Sequence, residues 1–354
     1  MYQCGSFFLG CLSRTLLQHN SFVRIQLVLI FTAMTSYINA LQIQLQTRGT
    51  LLQVVEAGVV LFIALVAFFG NFLVCWAVGH KRQLRTVPNM FIASLAVSDM
   101  SMAVFVMPLT FHSLVSSGWA STTHACVMQG YLIFAFAMAS LHTLTAISID
   151  RYFYIVRPNM YRNIYTKKNT LVIILAIWAS VFVYPLPPAF ISSMPYSFQP
   201  GKCTCMYFFE SSLVYSLFLD VLFIGTPMTV MIACYFMVFL AARQNNRQVA
   251  VMKQDATVDN ASIALNIEEV KITKSLAVLL IAFAACWGPV GVVDVMDLVN
   301  GEARLSRAVY MFYIVVVFLS CSLNPFIYGL MNRKFRREIR KFFSALSTPC
   351  VETH

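Results

Sequence analysis

Charged residues are scarce in this chain: Asp, Glu, Lys and Arg together make up 11% of its 354 residues. A typical soluble domain carries about 25%. Hydrophobic residues make up 59% of the chain, and the mean hydropathy is +0.73. This composition excludes an ordinary soluble protein. It predicts one integral membrane domain with short loops, because the length leaves no room for a large soluble domain beside it.

Acidic residues are the scarcer charge, with 14 Asp and Glu against 25 Lys and Arg. The net charge of +11 would suit nucleic-acid binding, but seven charge-poor windows, each long enough to cross a bilayer, separate the basic residues. With the N-terminus of the bundle outside, nineteen of the 25 basic residues fall on the cytoplasmic side, as the positive-inside rule favours. They should therefore face inner-leaflet lipid and cytosolic partners, and no nucleic acid is expected. The windows are 57–79, 86–112, 125–149, 169–190, 211–242, 275–293 and 308–332.

Histidine is also sparse, and the six His residues do not gather with acids at metal-ligand spacing. This argues against a membrane zinc enzyme, and we expect the chain not to be an enzyme. A transporter or channel is the alternative interpretation. That class usually has repeated halves, broken helices or several intramembrane charges. The sequence lacks internal repeats, and only Asp99 and Asp220 are charged within the predicted spans.

The expected fold class is an all-α membrane protein, a seven-transmembrane helix bundle with a short amphipathic helix after the seventh span. The bundle occupies residues 51–331, with a polar third inner loop at 244–266. Residues 332–343 form the amphipathic membrane-surface helix, and 344–354 form a short cytoplasmic tail. The apolar face of the surface helix consists of Phe335, Ile339, Phe342 and Phe343.

The N-terminal segment, residues 1–50, fits three interpretations. A short apolar core follows Arg14 and Arg24, and Ile38-Asn39-Ala40 is suitable for signal-peptidase cleavage. The segment also fits an upstream extension in which Met34 is the natural start, or an eighth span. The residues alone leave all three open.

The third window ends at a charged triplet, Asp150-Arg151-Tyr152. The preceding residues, Ala125–Ile149, contain no Asp, Glu, Lys or Arg. At about 1.5 Å per residue they cross the roughly 30 Å hydrocarbon core, so the triplet lies where the helix leaves the membrane. The other spans carry polar or proline marks: Gly70-Asn71, Ser98-Asp99, Trp178, Pro227 with Tyr235, Trp287 with Pro289, and Asn324-Pro325 with Tyr328.

These marks, taken together and in this order, resemble the rhodopsin-like (class A) G-protein-coupled receptors over residues 54–343. The resemblance implies a receptor that binds an extracellular small ligand and activates a heterotrimeric G protein through outward movement of helix six. It implies a plasma-membrane location with the N-terminus outside and the C-terminus cytoplasmic. Arrestin and a receptor kinase are further partners that it implies, beside membrane lipid.

The resemblance also implies a switch centred on Arg151. Glu269 lies twenty residues before Pro289, about 30 Å along a helix, so it reaches the same inner surface as Arg151. A pair between Arg151 and Glu269 would hold helices three and six together until a ligand shifts the equilibrium. The implied coupling and switch residues are Asp150, Arg151, Tyr152, Tyr235, Glu269, Trp287, Pro289, Asn324, Pro325 and Tyr328.

A carboxylate near the middle of the bilayer, Asp99, needs solvation or a partner. The resemblance implies an allosteric sodium ion at this residue, and oxygen ligands suit a hard cation. A protonated Asp in a polar cluster is the alternative, and no other cofactor is expected. The implied sodium ligands are Asp99, Ser140, Asn71, Ser320 and Asn324.

Cysteines near the outer surface imply a disulfide by the same resemblance. Cys126 begins helix three outside, and either Cys203 or Cys205 pairs with it; the flanking residues slightly favour Cys203. Cys350 near the C-terminus is a predicted palmitoylation site.

The ligand class is narrowed by two absences. Amine receptors carry an Asp where this chain has Ile133, and opsins carry a retinal-binding Lys where it has Phe318. A monoamine anchored there is disfavoured, and a retinal Schiff base is excluded.

The run Arg151-Tyr152-Phe153-Tyr154-Ile155 resembles melatonin receptors, and Leu84-Arg85-Thr86 resembles these and non-visual opsins. Those receptors usually vary the residues at Asp150 and Pro325, so melatonin is not assigned. The expected ligand-binding residues, in which the two Asp either bind a cationic group or face water, are Met128, Gln129, Ile133, Phe134, Ala137, Asp220, Phe223, Trp287, Val290, Asp294, Tyr310, Ile314 and Phe318.

Overall fold

The protein is an up-and-down helix bundle with a small β-hairpin at one end. A computed structural model describes residues 35–186, 196–207, 215, 217–218, 220–252, 260–300, 305–331, 336–341 and 344. The helices are α1 (35–46), α2 (Thr50–His80), α3 (Val87–Phe105), α4 (Met107–Val115), α5 (Thr123–Val156), α6 (Pro158–Ile164), α7 (Lys167–Val183), α8 (Thr226–Met252), α9 (Asn260–Asn300) and α10 (Arg307–Met331). Shorter elements are a 3₁₀ turn (Arg82–Leu84), a π-helical turn (Asp220–Gly225) and strands β1 (Tyr196–Gln199) and β2 (Thr204–Tyr207).

Seven of these segments are apolar enough to lie in a membrane. Within the described residues, five are long and apolar enough to span by themselves: α2, α3 with α4, α5, part of α9 and most of α10. Helix α7 is the fourth span, and it turns by 75° from the inner-loop helix α6. The apolar part of α8, Thr226–Ala241, is the fifth. The predicted seven-helix bundle is therefore confirmed.

Two buried apolar clusters fill the bundle, one in each half. The outer cluster joins Ile133 of α5 and Val290 of α9 to Ile314 of α10, and the inner cluster joins Leu95 of α3 to Ile147 of α5. Trp287 packs against both clusters, so it lies at their junction. Because the bundle interior is close-packed, displacement in one half is transmitted to the other.

A close approach joins the first and seventh spans. A Cβ added at Gly70 would lie 2.7 Å from the Pro325 ring, so only glycine lets α2 and α10 approach this closely. The adjacent Asn71 donates a hydrogen bond from Nδ2 to the carbonyl of Cys321, at 3.0 Å. The residues that mark the first and seventh spans in the sequence therefore fix these two helices to each other.

The predicted polar loop at 244–266 is wrong over most of its length. Helix α8 continues to Met252, and α9 is already formed at Asn260. The reason is local: no Gly or Pro occurs between Pro227 and Gly288, and the loop is rich in good helix formers. The polar composition of residues 244–266 was therefore not enough to predict where the helices end.

Both ends of the chain are described in part. Residues 35–46 form a helix of about 18 Å, too short to span, and its Tyr37 hydroxyl donates to the carbonyl of Leu305 beside α10. The signal, extension and eighth-span interpretations concern mainly residues 1–34, which lie outside the described residues. Of the surface helix predicted at 332–343, residues 336–341 are helical. The palmitoylation site Cys350 also lies outside the described residues.

Candidate signalling sites

The inner end of α5 holds Arg151 in a buried ion pair with its neighbour Asp150. Arg151 Nε and Nη2 donate to Asp150 Oδ2 at 2.9 and 2.5 Å, and Arg151 is only 4% exposed. The other carboxylate oxygen, Oδ1, accepts from the Tyr161 hydroxyl of α6 at 3.1 Å. The Tyr154 ring lies 5.0 Å from the guanidinium. The geometry therefore keeps a cation closed against its own helix at one end of the bundle.

The remaining predicted switch residues surround this pair to different extents. Tyr235 of α8 is close enough to interact electrostatically with Arg151. Trp287 stacks on Phe283 at 5.5 Å between ring centroids, and it lies two residues before Pro289. Tyr152 packs edge-on against Phe153.

Two predicted switch side chains are not placed. Glu269 lies within α9 and Tyr328 within α10, but their side chains are outside the described part of the structure. The Arg151–Glu269 pair stays a prediction.

The predicted sodium ligands divide into two groups. Asp99, which is 1% exposed, accepts from Ser140 Oγ at 3.0 Å and from Asn324 Nδ2 at 2.5 Å. Ser320 Oγ instead donates to the Val317 carbonyl at 2.7 Å. Asn71 directs its amide nitrogen to backbone carbonyls, and within the described residues its buried Oδ1 has no hydrogen-bond partner. Three helices thus bring a carboxylate, a hydroxyl and an unsatisfied amide oxygen into one buried region, a donor set that fits a hard monovalent cation.

The outer disulfide joins Cys126 to Cys205, with the two Cα atoms 5.3 Å apart. The preference for Cys203 was therefore wrong. Cys203 belongs to the turn between β1 and β2, where its φ is 52°, and its thiol donates to the Pro200 carbonyl. Its thiol interacts with Arg307 and Arg48, and burial raises the thiol pKa, so it stays protonated.

The disulfide fixes the β-hairpin over the mouth of the bundle. Gln129 Oε1 accepts from the backbone N–H of Cys205 at 2.9 Å, while Nε2 donates to Thr110 Oγ1 at 3.0 Å. Gln129 was predicted to bind ligand, but it is fully buried and its amide holds the hairpin. The hairpin residues Cys203 and Met206 belong to the outer apolar cluster.

Most of the predicted ligand residues meet beneath this hairpin. The outer cluster brings together Ile133, Ala137, Val290, Tyr310, Ile314 and Phe318, with Phe134 and Trp287 packed against it. Phe134 also lines a small apolar cavity with Met138, Tyr184, Pro185, Tyr196, Tyr207 and Tyr215. Met128 is exposed, so it does not face the cluster. The side chains of Asp220 and Phe223 lie outside the described residues.

The outer end also holds buried charged residues, of which only Asp294 was among the predicted ligand residues. Glu56 of α2 accepts from Arg307 of α10 at 2.8 and 2.5 Å and lies 3.4 Å from Arg48. Asp294 accepts from the Tyr313 hydroxyl at 3.2 Å, so it is buried rather than facing water. Lys202, in the hairpin turn, is a further buried cation at this end. These groups come from segments distant in the sequence, so no local pattern joins them.

Seven spans, a buried Arg at one end and a disulfide-fixed hairpin at the other define a multi-pass membrane receptor. The fold is similar to that of squid rhodopsin, with a TM-score of 0.75 at 22% sequence identity, covering 85% of this chain and 88% of that one. The family described as 7 transmembrane receptor (rhodopsin family) matches residues 70–328. The chain therefore belongs to the rhodopsin family of seven-transmembrane receptors.

Relatives include melatonin receptors. The chain is 29% identical to the melatonin receptor type 1B-B of Danio rerio over 299 residues, which cover 83% of each chain. It is 28% identical to the melatonin receptor type 1A of Ovis aries, over 85% of this chain and 80% of that one. The protein is thus a G-protein-coupled receptor of the plasma membrane and not an enzyme. The transporter or channel alternative has no support.

Proposed function

We propose that this receptor signals by releasing Arg151 from Asp150, so that the guanidinium can engage a G protein as helix six moves outward. The observation that supports this is the buried pair: Arg151 is 4% exposed and is bonded to its own helix. A charge held in this way cannot contact a cytosolic protein. An extracellular ligand that favours the open arrangement therefore also favours G-protein binding.

A conformational change at the ligand end of the bundle would reach the Arg151 end through Trp287. Its ring packs against the outer and the inner apolar clusters, and Pro289 lies two residues further along α9. Proline removes a helical hydrogen bond and permits a hinge. A ligand that pushes on the outer cluster would then shift the inner half of α9.

Replacing Asp150 by Asn should raise basal G-protein activation. The substitution leaves the buried Arg151 without its charge partner, and an unpaired buried charge is unfavourable, so the equilibrium moves toward a state in which Arg151 is exposed. A shift of about 1 kcal/mol corresponds to a roughly fivefold change. The measurement is nucleotide exchange on purified G protein, at equal receptor surface density.

Tyr161→Phe is the matched control. It removes the other hydrogen bond to Asp150 but keeps the ion pair. It should raise basal activation much less than Asp150→Asn. Equal basal activation in wild type and Asp150→Asn would contradict the proposed release.

The orientation and the further partners are part of this proposal. The basic excess at the Arg151 end favours a cytoplasmic position for that end, with the disulfide end outside. Residues 336–341 carry Arg336, Arg337, Arg340 and Lys341, which suit anionic lipid. Arrestin and a receptor kinase would use the same inner surface. The names of the relatives make melatonin the first compound to test as a ligand.

The second proposal is a sodium ion at Asp99. The Asp99 carboxylate, Ser140 Oγ and Asn71 Oδ1 would hold the ion, which would neutralise a buried negative charge. Bound sodium would stabilise the arrangement that places these three residues together. The ligand set is smaller than the predicted one, because the Ser320 hydroxyl is bonded to its own helix.

Sodium should lower basal activation and raise the thermal stability of the wild-type receptor, relative to choline at equal ionic strength. In Asp99→Asn both effects should disappear, because the amide removes the charge that attracts the ion. The expected loss of sodium sensitivity is about fivefold, the value for 1 kcal/mol of coupling. Ser320→Ala is the control, and it should keep both effects. Sodium sensitivity retained in Asp99→Asn would exclude this site.

A further inference from the structure

The hairpin turn between β1 and β2 carries a buried ammonium group, that of Lys202. Turn residues normally lie at the surface, but Pro200, Gly201, Lys202 and Cys203 are all buried, and Lys202 is 3% exposed. Gly201 allows this insertion, because a Cβ there would lie 2.8 Å from the Tyr310 ring. Burying a charge is unfavourable without compensation. The surroundings of Lys202 must therefore supply it.

Two tyrosines and one aspartate, Tyr310, Tyr313 and Asp297, attract this ammonium, and we call them the cation cage. Lys202 Nζ lies 4.2 Å from the centroid of the Tyr313 ring and 5.5 Å from that of Tyr310. The Tyr310 hydroxyl donates to Asp297 Oδ1 at 2.7 Å, and the Tyr313 hydroxyl donates to Asp294 Oδ2 at 3.2 Å. Ring faces and carboxylates both attract a cation. The cage is therefore a binding site for positive charge.

The helical spacing explains how the cage is built. Asp294 and Asp297 are three residues apart on α9, and Tyr310 and Tyr313 are three residues apart on α10. Residues at this spacing lie on one face of a helix. Each aspartate thus fixes one tyrosine of the neighbouring helix, and the two ring faces are held in place before any cation arrives.

The occupant of the cage is held without a close ion pair. Lys202 has a favourable Coulombic interaction with Asp297, but among the described residues no carboxylate lies within 4 Å of its ammonium. The cage contributes one acidic group, Asp297, and two ring faces. A cage of this kind favours a cation, yet it does not bind this one by direct hydrogen bonds to a carboxylate.

The same hairpin covers the residues beneath it. Cys203 and Met206 pack with Ile133, Val290 and Ile314, so a molecule that contacts these residues must move the hairpin. Moving it takes Lys202 out of the cage and removes from the buried Asp297 the cation that it attracts. A ligand with its own positive charge avoids that penalty.

We propose that the cation cage binds the positively charged group of a small organic cation, and that Lys202 is a tethered competitor which fills the cage until the ligand replaces it. This deepens the proposed receptor function, because it names the chemical class of the ligand. The site is distinct from the amine site of the family, since its acid, Asp297, lies on α9 and the residue at that amine position is Ile133.

The test uses n-propylammonium, which has the atoms that Lys202→Ala removes. Thermal unfolding of the purified full-length receptor is followed over a titration at constant ionic strength. The half-saturating concentration should be about tenfold or more lower for Lys202→Ala than for wild type, because a tethered group competes at a millimolar effective concentration. If Lys202→Ala does not fold, Lys202→Met, which keeps the side-chain bulk without the charge, is used instead. Its half-saturating concentration of n-propylammonium should also be lower than that of wild type.

Three controls define the result. The neutral 1-propanol should not stabilise Lys202→Ala, and Asp297→Asn in the Lys202→Ala background should weaken n-propylammonium binding severalfold. Lys81→Ala, which removes a half-exposed lysine near Glu338, should match wild type. Equal half-saturation in wild type and both Lys202 variants, or equal stabilisation by 1-propanol, would overturn the cage.

The experiments can contradict the cation cage without contradicting the proposed release of Arg151, and the reverse. Raised basal activation in Asp150→Asn, together with no n-propylammonium binding in the Lys202 variants, would leave the receptor mechanism and overturn the cage. If, in addition, melatonin binds to the receptor, the ligand is neutral and not a cation. Binding of n-propylammonium with no effect of Asp150→Asn would keep the cage and overturn the proposed release of Arg151.

Discussion

Replacing Cys205 by Ser is expected to remove most correctly folded receptor from the cell surface, whereas Cys203→Ser should remain close to wild type. The Cys126–Cys205 disulfide closes a loop with a sequence separation of 79 residues. In the chain-entropy account, a loop of this length contributes about 4.5 kcal/mol. It also fixes the hairpin that inserts Cys203 and Met206 into the outer cluster and places Lys202 against Tyr310 and Tyr313. Loss of the disulfide therefore affects stability and the ligand region together.

The Cys203→Ser control distinguishes loss of the disulfide from loss of a free thiol. Cys203 Sγ contacts the Pro200 carbonyl at 3.3 Å, and a serine hydroxyl can make the same hydrogen bond. Cys126→Ser and the double variant Cys126→Ser/Cys205→Ser should match Cys205→Ser, because all three break the same bond. Surface antibody binding and thermal unfolding of the purified protein are the measurements. A severe loss in Cys203→Ser, with Cys205→Ser unaffected, would mean that Cys126 pairs with Cys203.

The choice between Cys203 and Cys205 shows where sequence analysis stops. Both residues lie within the same short segment, at nearly equal distance in sequence from Cys126. The decision depends on the register of a hairpin in which Gln199 pairs with Thr204. That register puts Cys203 in the turn and Cys205 on a strand beside α5. A single sequence contains no signal for this register.

The spans and the inner switch were predictable for a local reason. Long charge-poor runs require helices in a bilayer, and Asp150 and Arg151 are adjacent, so their pairing needs no knowledge of the fold. Asp99 was identifiable because a carboxylate within an apolar window needs partners. Its partners Ser140 and Asn324 were confirmed, while the Ser320 hydroxyl turned to its own backbone. The sequence predicted which residues lie near Asp99, but it did not predict which way the Ser320 hydroxyl points.

The charged groups at the outer end were missed for a different reason. Glu56, Arg48 and Arg307 are unremarkable at the ends of predicted spans, and only the packed bundle brings them together. One signal for the cation cage was available: Asp294 and Asp297, like Tyr310 and Tyr313, share a helix face by their spacing. That signal does not say which cation they face. Lys202 reaches them through a disulfide-fixed turn.

Replacing Glu56 by Ala is expected to destabilise the receptor by about 3 to 5 kcal/mol, the loss typical of removing one partner from a buried ion pair. The side chains of Arg48 and Arg307 are only 2% and 7% exposed, and Glu56 is the carboxylate that contacts both. Without it, two like charges remain buried side by side. Alanine is the better helix former, so reduced helix propensity cannot explain the loss. The measurement is the apparent unfolding temperature in detergent, which should fall by many degrees.

Glu338→Ala is the matched control for this substitution. Glu338 is also buried and also contacts several cations, but Lys81, Arg337 and Lys341 have side chains that are 42%, 68% and 59% exposed. Water can solvate those cations once the carboxylate is gone, so the loss should be about 1 kcal/mol or less. A similar fall in both variants would mean that burial of the cations is not what makes Glu56 necessary. A large fall for Glu56 alone would show that this acid joins the first and seventh spans at the outer end, as Gly70 and Pro325 join them deeper in the bundle.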